Sequence, residues 1–165
     1  LQLADRLYRE FTGVYLVDRI NSGRTEVSRD LVVRWIEQQA RDRWTTSTRI
    51  QFSRKLLYSA SMAGLLKGTR DPRHMQCPRV SDDALTYLFY LLRGVQSAGS
   101  LTDNPYVASV GLAGPELESR LRKLSGLRFR KQGDMVEFGW KFDGLCEWAE
   151  TTVMPDAELK IGGTA

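Results

Sequence analysis

Along 81–95 the chain sets apolar side chains around nearly the whole circumference of a helix, with Leu85, Leu88, Phe89, Leu91 and Leu92 leaving no broad polar stripe. Such a rod persists in water only when other elements wrap it, so it is expected to be the central buried helix of a folded protein. Its longest apolar run, 84–92, is nine residues and includes Thr86, against the roughly 20 that a bilayer span requires. Ser81, Asp82 and Asp83 make a good start for it, because side-chain oxygens cap free amides and acids suit the positive end of the dipole. With 42% hydrophobic and 27% charged positions in 165 residues, the chain has enough apolar material for the wrapping.

The wrapping elements are legible as amphipathic segments. A helix over 1–20 has Leu3, Leu7, Phe11, Val14 and Val17 at intervals of three or four, weakened by Gly13 and ended by Asn21-Ser22-Gly23. A second, over 28–42, is capped by Ser28 and striped by Leu31, Val32, Trp35 and Ile36. A third spans 47–63, with Phe52, Leu56, Ala60 and Ala63 inward, Ile50 and Leu57 on the flank, and Gly64 as its left-handed stop. An extended piece at 65–67 then opens a hairpin or irregular loop over 69–79. After a connector with a short helix at 105–110, Pro115 and Gly126 bracket a helix with the seam Leu117, Leu121 and Leu124. A hairpin follows, Leu127 and Phe129 alternating with cations, Gln132-Gly133-Asp134 turning, and Val136, Phe138 and Trp140 returning. A short helix at 143–150 precedes the tail. The expected fold is mainly α with short β-hairpins, a compact helical protein with one or two winged helix-turn-helix-like units. Its parts are an N-terminal basic unit over 1–80, a C-terminal helical unit with a hairpin over 81–150 that shares its core, and a tail over 151–165.

Charge is uneven. Residues 1–80 hold 15 Lys and Arg against 8 Asp and Glu, while 81–165 hold 9 against 12. The window 41–79 alone has nine cations against Asp42 and Asp71. A field this concentrated favours a polyanion such as nucleic acid, although a solvated basic face gives the same numbers. Enzyme chemistry finds little support. His74 is the only histidine, and it lacks the second ligand pair of a zinc site; adjacency to Cys77 is not the geometry of a Cys–His dyad. There is no phosphate loop or dinucleotide fingerprint, and no cofactor is expected. Two cysteines, Cys77 and Cys146, are too few for a disulfide scaffold, which points to a reducing compartment. No secretory signal is visible, and the start at Leu1 instead of Met leaves room for a missing N-terminal piece.

The unit 28–68 carries the functional reading: helix, brief turn, basic amphipathic helix, extended exit. A helix of about 10–12 Å diameter fits the major groove while the preceding one braces it. Thr46, Ser47 and Thr48, like Thr45, stand at the helix start to meet a phosphate; Gln51, Arg54, Lys55 and Tyr58 face bases or backbone. Arg70, Arg73 and Arg79 reach a neighbouring phosphate or the minor groove. Trp35 and Trp44 read as core aromatics, not stacking platforms. The helix and hairpin over 115–140 repeat the helix-then-wing order. There Arg122, Lys123, Arg128, Arg130 and Lys131, with Arg120, form a second basic cluster against Glu116 and Glu118. A hairpin that only covers one end of the core has the same order. If about five phosphates are neutralised, log affinity falls with log salt at a slope near −4.5.

The series Trp44-Thr-Thr-Ser-Thr-Arg49, Gly64-Leu-Leu-Lys-Gly68, Tyr87-Leu-Phe-Tyr-Leu-Leu92 and Gly133-Asp-Met-Val-Glu-Phe138 resembles the BrxA family of BREX bacteriophage-resistance systems, over roughly 30–150. The resemblance implies a compact, mostly helical, non-enzymatic protein of winged-helix character that binds DNA beside larger defence components. The expectation is therefore a cytoplasmic, double-stranded-DNA-binding accessory protein of phage defence. Two alternatives stay open: a scaffold docking an acidic protein partner, and an RNA-binding regulator.

Overall fold

Asp5 starts the first helix by accepting the Tyr8 amide at 2.9 Å, five residues later than the periodicity alone predicts. In the computed structural model, which describes residues 1–40, 44–95 and 100–154, this helix comprises α1 (Arg6–Glu10), a π-helical turn (Phe11–Tyr15) and α2 (Leu16–Asn21). Within the turn the Leu16 amide donates to the Phe11 carbonyl, five residues back. The extra residue rotates everything after it by about 100°. Val14, expected inside, is therefore exposed, and Leu16 is buried in its place; Leu3 lies ahead of the helix and is exposed too. Gly13 is no weak point. A Cβ there would meet Pro105, its carbonyl oxygen 2.6 Å away, so glycine lets α6 (Pro105–Ala108) seat directly on the turn.

Two units make up the chain: residues 1–79 with 104–112, and residues 80–103 with those from 113 onward. It is mostly helical with two small antiparallel sheets, as the pattern implied. The stretch 104–112, read in the sequence as part of a connector, belongs to the first unit. The end of the second helix at 41–42 and the tail beyond 154 lie outside the described residues.

In the first unit, β1 (Glu26–Val27) precedes α3 (Arg29–Ala40) and α4 (Thr46–Met62), and β2 (Leu66–Lys67) and β3 (Arg73–Met75) follow. The strands pair in the order β1-β3-β2, with Val27 opposite Arg73 and Lys67 opposite His74. Ser28 caps α3 by accepting the Leu31 amide, and Thr45 caps α4 by accepting that of Thr48. Gly64 at φ +74° lets the Leu65 amide reach back to the Ala60 carbonyl at 2.9 Å, closing α4 as the sequence indicated. Ala63 lies past that end, so it leaves the inner face assigned to it and is exposed. Val27, Val32, Ile36, Leu56, Leu57, Ala60 and Leu66 fill the core with Phe11. Trp35 joins it between Phe11 and Tyr15, while Trp44 stacks on Phe52 at 4.5 Å; both are packing residues.

In the second unit, Ser81 caps α5 (Asp82–Gly94) by accepting the Ala84 amide at 3.1 Å. Leu85, Phe89, Tyr90 and Leu92 are buried, but Leu88 and Leu91 only partly and Tyr87 is exposed, so α5 is covered on one broad side and not all round. The helix α7 (Gly114–Leu121) ends earlier than expected, yet its seam of Leu117, Leu121 and Leu124 is buried. Gly126 does not stop that helix. A Cβ on it would lie 2.8 Å from the Thr86 methyl and 3.2 Å from the Trp148 indole nitrogen, so its role is close packing. The hairpin β4 (Leu127–Gln132) and β5 (Met135–Trp140) closes on a two-residue turn, Gly133-Asp134, with Gly133 at φ +59°. The Tyr90 hydroxyl donates to the Gly126 carbonyl at 2.8 Å and accepts the Phe142 amide at 3.1 Å. The last helix, α8 (Leu145–Thr152), runs two residues into the segment expected as tail.

Candidate nucleic-acid interface

The outer side of α4 is arranged as its spacing indicates. Its buried residues, Ser53, Leu56, Leu57 and Ala60, occupy one stripe, which leaves Ser47, Gln51, Arg54, Lys55 and Tyr58 exposed on the other. Thr46, the first residue of the helix, is exposed as well. The Thr48 hydroxyl lies 2.9 Å from that of Thr45, so it is engaged in the cap. The Lys55 ammonium stands 5.8 Å from the Phe52 ring centre, its stem leaning along the helix. An ion pair between Arg49 and Glu37 ties α4 to α3 and keeps the Arg49 guanidinium out of the outer face.

The loop 68–72, between β2 and β3, joins this surface. Arg29, Arg54, Leu57, Thr69, Arg70, Asp71 and Arg73 line one cleft of about 420 Å³. Arg54 comes from α4, Arg70 from the loop and Arg29 from the first position of α3. Asp71 fixes the corner: its carboxylate accepts the Arg29 amide at 2.9 Å and lies 3.9 Å from the Arg73 guanidinium. Among the described residues no ion pair involves Arg54, Lys55 or Arg70.

Arg73 is a correction. One of its terminal nitrogens donates to the Leu57 carbonyl and the Ser61 hydroxyl, each at 2.9 Å, and its side chain is only 15% exposed. Pairing of β3 with β1 turns this residue back onto α4, where it fastens strand to helix. Arg79 is exposed. Arg29 and Thr69 were missed. A cation in the first turn of a helix works against the dipole, and that misfit was the signal for Arg29.

The second cluster is less free than its composition suggests. Glu118 accepts from Lys131 at 2.6 Å and Arg122 at 3.2 Å, and the Lys131 hydrogen bond, with both cations contributing, holds its carboxyl below the ordinary glutamate range. Arg122 also lies over the Phe129 ring, 5.6 Å from its centre. Arg120 pairs with Asp82 and donates to the Val80 carbonyl at 2.7 Å, which removes it from the surface cluster. Strand alternation separates the rest: Arg128 and Arg130 share one hairpin face, while Lys131 lies on the face of Phe129 and Phe138. Lys123, Arg128 and Arg130 are exposed, and no described ion pair includes them.

The His74 ring nitrogen lies 3.4 Å from Glu26 across the sheet, and the Cys77 sulfur sits against Gly111, where an added Cβ would be 2.5 Å away. Among the described residues no helix is long and apolar enough to cross a membrane. Comparison with known proteins leaves the geometry to stand alone: no family model, curated protein or solved structure matches the chain.

Proposed function

We propose that the first unit is a winged helix-turn-helix that binds duplex DNA, with α4 entering the major groove and the 68–72 loop as its wing. The carrying observation is the shared cleft: Arg54 of α4 and Arg70 of the loop line the same opening, so helix and wing offer cations to one duplex together. The element order supports the reading, because a helix, a strand, two helices and two strands, the first strand pairing with the last, bring wing and second helix side by side. Seventeen residues of α4 give a rod of about 25 Å, narrow enough for a groove of about 12 Å width. Exposed Gln51 suits base edges; Arg54, Lys55 and Arg70 suit phosphates, so sequence preference is modest.

The resemblance to BrxA extends the proposal to a non-enzymatic, cytoplasmic accessory protein of a BREX-type defence system, working beside other components of it. Its motifs fall on the start of α4, the exit from α4 into β2, the middle of α5 and the tip of the β4–β5 hairpin. The test is fluorescence anisotropy with labelled duplex DNA, structured RNA and poly-glutamate competing in turn. Duplex is expected to displace the label and the others to do so weakly. Preference for RNA, or displacement by the acidic polypeptide alone, refutes the DNA reading in favour of a regulator or a docking scaffold.

A further inference from the structure

We infer that the cleft between α3, α4 and the 68–72 loop is a discrete seat for one phosphate group, formed by Arg29, Arg54, Arg70 and Thr69 and metered by Asp71. The seat rests on the proposed function in one respect: its phosphate is taken to be a backbone phosphodiester of the duplex, held at the junction of helix and wing.

Four guanidinium groups and one carboxylate line the opening. Of the four, Arg73 is committed beside Asp71 and the Leu57 carbonyl, while Arg29, 3.5 Å from Asp30 in an exposed pair, stays open to an anion. Arg54 and Arg70 are the other two. They arise from different elements, line a common space and take part in no described ion pair, so each raises the potential felt by the other. An anion between them removes that repulsion. A phosphodiester carries its negative charge on two non-bridging oxygens, a geometry that a guanidinium fork matches with two hydrogen bonds. Thr69, exposed at the rim, supplies a neutral donor.

Asp71 gives the seat its particular character. By accepting the Arg29 amide it anchors the loop to the start of α3, and so fixes the position of Arg70. The same carboxylate lowers the positive potential of the cleft. Asparagine at this position keeps an oxygen for the Arg29 amide and loses the charge. Position and affinity are thereby separable by one substitution.

The test uses the whole chain with a short duplex of arbitrary sequence. Each phosphate contact contributes about fivefold to affinity at about 0.15 M salt, from a slope of about 0.9 per phosphate. Arg29→Gln and Arg70→Gln are each expected to weaken duplex binding about fivefold, and Asp71→Asn to strengthen it by a similar factor. The opposite signs identify charge as the cause, since mere damage to the corner would weaken all three. In parallel, inorganic phosphate added at constant ionic strength is expected to shift the amide resonances of Arg29, Thr69 and Arg70 more than chloride does, and Arg54→Gln to abolish the difference. Duplex binding that ignores all three substitutions overturns the seat and leaves the DNA reading intact. Phosphate shifts at these residues in a protein that binds no duplex overturn the backbone assignment, and with it the proposed function.

Discussion

Arg54→Gln with Lys55→Gln is the sharpest test of the interface on α4. The structure presents four cations on this surface, Arg29, Arg54, Lys55 and Arg70, after Arg73 is turned inward. Four neutralised phosphates give a slope of about −3.6 for log affinity against log salt, or about 150-fold weaker binding between 50 and 200 mM. The double substitution halves the slope to about −1.8 and reduces that ratio to about 12-fold. At about 0.15 M salt it weakens binding about 30-fold, or about 2 kcal/mol. Glutamine is a good helix former and both positions are exposed, so stability is expected to change by less than about 0.5 kcal/mol. Anisotropy titrations of a labelled duplex at four salt concentrations, with a thermal melt of each protein, supply the readout. An unchanged slope in a double variant that melts like the parent refutes the reasoning, because α4 would then face no phosphate.

Other outcomes follow from the packing. Tyr90→Phe leaves the Gly126 carbonyl and the Phe142 amide without the hydroxyl that joins them, and urea denaturation is expected to show a loss of about 1–3 kcal/mol. Gly13→Ala drives a methyl group into Pro105 and is expected to cost about 1–3 kcal/mol; an unaltered melting temperature would mean that α6 does not sit on the π-helical turn. Glu118 is held below its ordinary pKa of 4.5, chiefly by the Lys131 hydrogen bond. A lowered carboxylate contributes stability above the ordinary value and loses it as pH falls through the depressed one. Glu118→Gln is therefore expected to flatten the acid side of a plot of melting temperature against pH. The same change releases Arg122 and Lys131, so it also strengthens duplex binding if the second cluster takes part.

Some of this was legible because helix period is a local property. Gln51, Arg54, Lys55 and Tyr58 fall outward by spacing alone, and Ser28, Ser81 and Gly64 mark helix ends through chemistry confined to one turn. Other features depend on partners far along the chain. Glu26 and Val27 make a strand too short to show alternation, and only its pairing with β3 sends Arg73 inward. The π-helical turn replaces Val14 with Leu16 in the core, a change of phase that no average period reveals. Gly126 looked like a helix terminator, but its lack of a side chain serves contacts with Thr86 and Trp148. Charge composition overstated the second cluster, since Glu118 engages two cations at once and Asp82 a third.

The return of residues 104–112 to the first unit bears on how the protein is made. A ribosome that has released residue 79 has not yet delivered the piece that rests on Gly13, and about thirty further residues must emerge first. At about 5–20 residues per second that is a delay of a few seconds, during which the first unit waits with one flank open. For the same reason a fragment cut after residue 79 is not a minimal version of that unit. It is the unit without its keystone, and a faithful excision would need 104–112 spliced back on through a linker.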